Sequence, residues 1–202
     1  QKLVTGAVLV SPFLPMLFMG EEYGEPNPFL YFVSHTDKEL AEAVRKGRKA
    51  EFAAFHSQGQ APDPLSEDTF NRSKLQWSLI TKAPHQTLLS YYKELIALRK
   101  SHPVLNQLNR KQLEVEFNEE QQTLLLHRWS EEQHLICLMN FSRKEQAYQM
   151  PPYSEQWQKL FNSASPKWGG TFNASEYLAE DVYVDLPPES ILIYHSSINQ
   201  PT

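Results

Sequence analysis

Two adjacent carboxylates, Glu21 and Glu22, follow the apolar run Pro15-Met16-Leu17-Phe18-Met19 and the turn residue Gly20. Paired carboxyl groups suit acid–base and nucleophilic chemistry, one attacking or activating water while the other supplies a proton. They do so only when both converge on one bond. Neighbouring residues leaving an extended segment project in different directions, so the expected role of this pair is to anchor a loop or accept hydrogen bonds. No catalytic residue is assigned on this chain. The seven histidines are scattered without H-x-H or H-x₃-H spacing and without a cysteine at zinc spacing, so neither metal nor cofactor is expected. His35 and Asp37 are close in sequence, but Asp37 is better used to cap a helix. No Ser-His-Asp arrangement is readable. None of the seven glycines lies between Gln60 and Trp168, and no glycine-rich phosphate loop occurs.

The elements that must position these residues follow from spacing. Pro15–Met19 lacks alternation and reads as a strand buried on both faces, typical of a parallel sheet under helices. Before it, Gln1–Ser11 reads as a helix that Pro12 and Pro15 terminate. Thr36-Asp37-Lys38-Glu39 has the form of a capping box opening a helix that runs to about Phe55. Ser57–Ser73, rich in Gln, Asp and Pro, reads as a long docking or functional loop. Pro84 opens a second long helix ending at His102-Pro103, with one stripe through Leu88, Tyr91 or Tyr92, Leu95, Ile96 and Arg99. Beyond it the pattern changes to short alternating strands: Leu113–Phe117, Thr123–Trp129, His134–Phe141, Gln146–Met150, Trp157–Phe161, Val182–Leu186 and Ile191–Tyr194. Turn-rich stretches at intervals near ten residues predict an antiparallel sandwich.

Three blocks carry a family resemblance: PMLFMGEEYGE; NPFLYFVSH with AVRKGRKAEFAAF; and DPLSEDTFNRSKLQW. They resemble the end of the catalytic barrel in malto-oligosyltrehalose trehalohydrolases, glycoside hydrolases of the alpha-amylase family. MGEE resembles that family in general, whereas GRKAEF followed by TFNRSKLQW resembles the trehalohydrolase branch. HQTLLSYYKELIALRKSHPVL is similar to the helix that closes alpha-amylase barrels. The likeness is close from Gln1 to about Leu105 and loose beyond it. It implies an α/β plus all-β fold: residues 1–104 as the C-terminal end of a (β/α)8 barrel, with Pro15–Met19 as its eighth strand, and residues 105–202 as an antiparallel β-sandwich. It implies cleavage of the α-1,4 bond next to the terminal trehalose of maltooligosyl trehalose. It also implies that the nucleophilic Asp, the acid Glu and a further Asp precede Gln1, so this chain alone is expected to be inactive. The residues expected to line the product side of the cleft are Glu22 and Asn27, as hydrogen-bonding groups, and Tyr23 and Phe29, as stacking surfaces for sugar rings. The competing reading is that Tyr23, Phe29, Tyr31 and Phe32 plug the barrel mouth.

Composition bounds the alternatives. The 202 residues begin with Gln, and a piece of a longer protein is expected. A charged content of 21% and a net charge of −5 suit a soluble globular chain. Arg45-Lys46-Gly47-Arg48-Lys49 is the densest basic patch and reads as a solvated helix face, so nucleic acid is not an expected partner. No apolar stretch approaches the ~20 residues of a membrane span, so no membrane association is expected. Cys137 is the only cysteine, which excludes an intrachain disulfide and fits a cytoplasmic location. The implied partner of the full-length parent is an α-glucan or maltooligosyl trehalose. Self-association of the 202-residue chain is expected from its exposed apolar elements. Two other readings stand beside this one: a 1,4-α-glucan branching enzyme or another alpha-amylase-family enzyme, and a non-catalytic carbohydrate-binding or structural β module. Against the latter, Trp129, Tyr148, Tyr153, Trp157 and Trp168 share no common spacing, and Trp168 beside Gly169-Gly170 reads as a core or loop tryptophan.

Overall fold

The computed structural model describes residues 1–55 and 61–197. The chain forms two compact units, one from Gln1–Phe18 with Gln86–Thr202 and the other from Met19–His85. In the first, the sheet order is β1 (Leu113–Asn118), β2 (Thr123–Trp129), β3 (Gln133–Asn140), β8 (Ser190–Ser197), β5 (Gln156–Asn162) and β6 (Tyr177–Ala179), and every pairing is antiparallel. A second sheet pairs β4 (Gln146–Gln149) with β7 (Tyr183–Leu186). The strands read from alternation are thus present; β6, too short to show a period, is additional.

Alternation along β3 and β8 divides the apolar side chains between two layers. Leu135, Cys137, Met139, Ile191 and Ile193 face a core shared with helices α1 (Lys2–Val10) and α4 (His85–Ser101). Ile136, Leu138, Leu192 and Tyr194 face the second sheet, where Trp157, Met150, Val184 and Leu186 complete the sandwich. Helix α1 approaches β8 so closely at Gly6 that a Cβ there would lie 2.7 Å from Ile191 Cγ2. Two tyrosines of α4 tie it to α1: the Tyr91 hydroxyl donates to the Lys2 carbonyl (2.8 Å), and Tyr92 Oη lies 2.8 Å from Thr5 Oγ1. Trp168, 6% exposed, packs edge-on to Tyr91 and stacks with Phe161, so it is a core residue as read.

The C-terminus of α1 has no basic residue in its own last turn. Its carbonyls are met instead by two distant guanidinium groups. Arg99 donates to Leu9, to Ser11 (2.8 Å) and to Phe13 (2.7 Å), and Arg128 donates to Val10 (2.8 Å) and to Gln107, the carbonyl that follows helix α5 (Pro103–Asn106). Beyond Phe13 the expectation of a strand needs correcting. Residues 14–18 carry no regular secondary structure, and Leu14 (82%) and Met16 (92%) are exposed. A strand requires ladder partners for its N–H and C=O groups, and none of the described ladders includes this segment.

The second unit holds α2 (Lys38–Phe55) and a short helix α3 (Glu67–Arg72). Helix α2 begins one residue later than the capping-box reading: Asp37 accepts the Leu40 N–H (2.8 Å) and takes the cap position in place of Thr36. Helix α3 lies inside the segment read as a loop, where Pro and Asp masked a single turn and a half. Ser66 caps it by accepting the Asp68 N–H. Residues 57–60 of that expected loop lie outside the described residues.

Two expected outcomes follow. Arg128→Met leaves the Val10 and Gln107 carbonyls without their donor and lowers stability by about 2–4 kcal/mol in chemical denaturation. Burial also depresses His102 and His127 to about 4, each helped by a neighbouring histidine. The unfolded chain therefore takes up protons first as pH falls below ~6.5, and stability drops between there and pH ~4. His127→Phe flattens part of that slope in denaturation curves recorded across the range.

Candidate functional site

The sequence-predicted residues all fall in the unit Met19–His85. Their local frame is a single 3₁₀ turn, Glu21–Tyr23, bracketed by two left-handed glycines, Gly20 (φ 88°) and Gly24 (φ 70°). The Gly20 carbonyl accepts the N–H groups of Tyr23 (3.4 Å) and Glu25 (2.9 Å), folding the chain back on itself. A Cβ at Gly20 would lie 2.7 Å from Glu25 Cβ, so both the backbone angle and the space require glycine.

The turn delivers Glu25, which the sequence reading passed over, to the middle of a hydrogen-bond cluster. Its Oε2 accepts from the Tyr23 hydroxyl (2.7 Å) and the Gln76 N–H (2.6 Å). Its Oε1 accepts from the Asn27 N–H (2.9 Å) and Gln76 Nε2 (3.4 Å). Partial burial alone would push this carboxyl up, but the backbone donors of Gln76 and Asn27, then the Tyr23 hydroxyl, outweigh it and hold the carboxyl below its ordinary value. Ionised and surrounded by donors, Glu25 is a structural acceptor and a poor proton source.

Glu22 is half-buried beside this cluster, and its charge raises the Tyr23 phenol, after the larger effects of burial and of Glu25. Tyr23 is 1% exposed; its ring lies 6.0 Å from Trp77, and its carbonyl accepts from His85 Nδ1 (2.8 Å). A carbonyl can only accept, so the proton of a neutral His85 sits on Nδ1. Asn27 spends its side chain inside the fold, donating to the Lys74 carbonyl (2.7 Å) and accepting from Gln76 Nε2 (3.1 Å). Phe29 is 52% exposed and stands 6.0 Å from Phe32, which in turn meets Phe70 edge-on at 5.1 Å.

These contacts run in one direction. Glu25 meets Gln76, Asn27 meets Lys74, Leu30 bonds Ser73 Oγ, and the Val33 N–H donates to the Pro64 carbonyl. Residues 25–33 therefore lie antiparallel along residues 64–76, joined mainly by side-chain bonds. The structure brings Glu22, Tyr23 and Asn27 together around Glu25, and sets Phe29 in an aromatic row beside them. Sequence reasoning missed Glu25, Gln76 and the 60% exposed Trp77. In sequence, Gln76 and Trp77 stand out only as part of the resemblance carried by NRSKLQW. Among the described residues no group of His, Cys, Asp and Glu could hold a metal ion, and no helix is long and apolar enough to cross a membrane.

Replacing Glu25 by Gln is expected to speed hydrogen exchange at the Gln76 amide at neutral pH. Because the folded carboxyl titrates below its unfolded value, its contribution is complete above pH ~4 and is lost as pH falls through the depressed value. The exchange rates of wild type and Glu25→Gln should therefore converge in acid.

The chain matches two kinds of known protein. Residues 119–193 match the family described as "Domain of unknown function (DUF3459)". Malto-oligosyltrehalose trehalohydrolase from Brevibacterium helvolum is 48% identical over 113 residues, covering 55% of this chain and 19% of that protein. The enzyme of the same name from Saccharolobus solfataricus is 45% identical over 101 residues (50% and 16%), and that from Mycobacterium tuberculosis is 40% identical over 121 residues (59% and 21%). The chain thus spans about a fifth of the length of these relatives. Among solved structures, a protein assigned as an alpha amylase from Salmonella typhimurium superposes with a TM-score of 0.71 at 28% identity, covering 96% of this chain and 30% of that one. Trehalulose synthase from Pseudomonas mesoacidophila, at 16% identity and a TM-score of 0.56 over 96% and 37%, shares the fold alone. The N-terminal helices packed on an antiparallel β domain match the C-terminal part of alpha-amylase-family structures, and the chain is homologous to the C-terminal region of malto-oligosyltrehalose trehalohydrolases.

Proposed function

We propose that this chain is the C-terminal region of a retaining α-glycosidase that cleaves the α-1,4 bond next to the terminal trehalose of maltooligosyl trehalose, releasing trehalose. The observation that carries this reading is the 48% identity over 113 residues to the Brevibacterium helvolum trehalohydrolase. On this reading residues 1–104 complete the catalytic barrel and residues 105–202 form the β domain. The catalytic carboxylates reside in the rest of the parent, whose substrate is an α-glucan carrying a trehalose end and whose location is the cytoplasm.

The cluster around Glu25 then acts as a rigid support at the product side of the cleft. The exposed Phe29 meets sugar by ring stacking, and the half-buried Glu22 by hydrogen bonds. Tyr23 and Asn27 act from behind, their polar atoms held by Glu25, Lys74 and Gln76. The exposed apolar residues Leu14 and Met16 favour pairing of the chain with a second copy when it is isolated.

A second reading, a glucan branching enzyme or another alpha-amylase-family enzyme, draws on the 28% identity to the Salmonella typhimurium structure. The full-length parent given maltooligosyl trehalose should release free trehalose; new α-1,6 branches on a linear glucan without trehalose release would favour the second reading. The 202-residue chain alone should show no turnover, and light scattering should find it larger than a monomer.

A further inference from the structure

On the helix-facing side of the large sheet, towards its β5–β6 edge, lies a cavity of about 310 Å³ whose lining includes Glu155, Gln158, Tyr177, His195 and Ser196. Two of these are direct neighbours across strands: Gln158 faces Tyr177 on β6 and His195 on β8. Their polar ends are set by a chain of hydrogen bonds that begins at a helix. The Val104 N–H donates to His102 Nδ1 (3.3 Å), which leaves the proton of the neutral ring on Nε2. His102 Nε2–H then points to His195 Nδ1 (3.3 Å), and His195 Nε2–H to Gln158 Oε1 (3.4 Å). With its oxygen accepting, Gln158 presents its amide N–H groups to the cavity.

Burial lowers His195, so it is neutral at pH 7. Among the described residues Glu155 is then the sole charge in the lining, and no Lys or Arg contributes. A phosphate or nucleic acid finds no cation there. Tyr177 offers a ring that is 54% exposed. An aromatic face and oriented amide donors around a space near the lower limit of ligand pockets match a small, uncharged, hydroxyl-rich molecule.

We infer that this cavity is a carbohydrate-binding site on the β domain, separate from the Glu25 cluster, taking one or two hexose units of an α-glucan. The sugar ring stacks on Tyr177, with hydroxyls bonded to the Gln158 amide. The choice of an α-glucan rests on the function proposed above. Trehalose release by the parent is measured separately, so failure of either leaves the other standing.

The test is a titration of the 202-residue chain with maltose, followed by backbone amide shifts. Saturable shifts at Gln158, Tyr177 and His195 are expected. Tyr177→Ala, at an exposed position, should weaken binding by about tenfold or more with the circular-dichroism spectrum unchanged, and Gln158→Ala should weaken it with the fold equally intact. No shift at these residues, shifts that survive Tyr177→Ala, or an equal response to inorganic phosphate would each overturn the inference.

Discussion

The carbonyls at the end of helix α1 depend on two arginines that lie far away in sequence. A helix leaves its last carbonyls without internal partners, and their partial negative charge attracts cations. Here Arg99 and Arg128 supply them, reaching Leu9, Val10, Ser11 and Phe13. Arg128 is 1% exposed, and its recorded partners are the Val10 and Gln107 carbonyls. Taking a guanidinium out of water is costly. Burial lowers its proton affinity, with Cys137 opposing and Arg99 adding to that effect, yet Arg remains charged at any ordinary pH. The aligned carbonyls offset this cost only while α1, the Arg128 strand and the end of α5 hold their places. The same bonds hold the chain as far as Phe13, beyond which it runs on without regular secondary structure.

The β domain gains uniqueness from the same economy of polar atoms. Its two apolar layers are divided by the alternation of β3 and β8, and several polar side chains among them meet one another. His127 Nε2 lies 2.9 Å from His134 Nδ1, and the His127 ring stacks on Tyr153 at 4.1 Å. Glu116 meets the hydroxyls of Tyr148 (3.3 Å) and Tyr153 (3.4 Å). Buried histidines held neutral pack like aromatics at neutral pH and lose that character in acid. The second unit uses one carboxylate, Glu25, in place of an apolar layer, which explains how a segment without a strand is nevertheless held in register with residues 64–76.

Local patterns settled much of this molecule. Short apolar or alternating runs bounded by turn residues placed the strands; in β3 and β8, buried on both faces, the run is nearly continuous, and the pleat alone divides it between the two layers. The stripe through Tyr91, Tyr92 and Leu95 located the face of α4 that is buried, and Asp37 was recognised as a cap because its partner is only three residues away. The blocks around MGEEYGE and NRSKLQW pointed to the homology that the comparisons bear out.

What the sequence left open depends on partners brought together by folding. Glu25 is unremarkable in isolation; its role appears only when Gln76, 51 residues away, delivers two donors to it. Spacing puts Arg99 on the core-facing stripe of α4, but the carbonyls that Arg99 and Arg128 meet come into place only when α1 is laid against them. His102 and His195 are 93 residues apart and show no ligand-like spacing, yet tertiary packing joins their rings and orients Gln158. The strand expected at Pro15–Met19 shows the converse limit. An apolar run states only a preference for burial, whereas a strand exists only where a neighbouring chain answers its backbone hydrogen bonds.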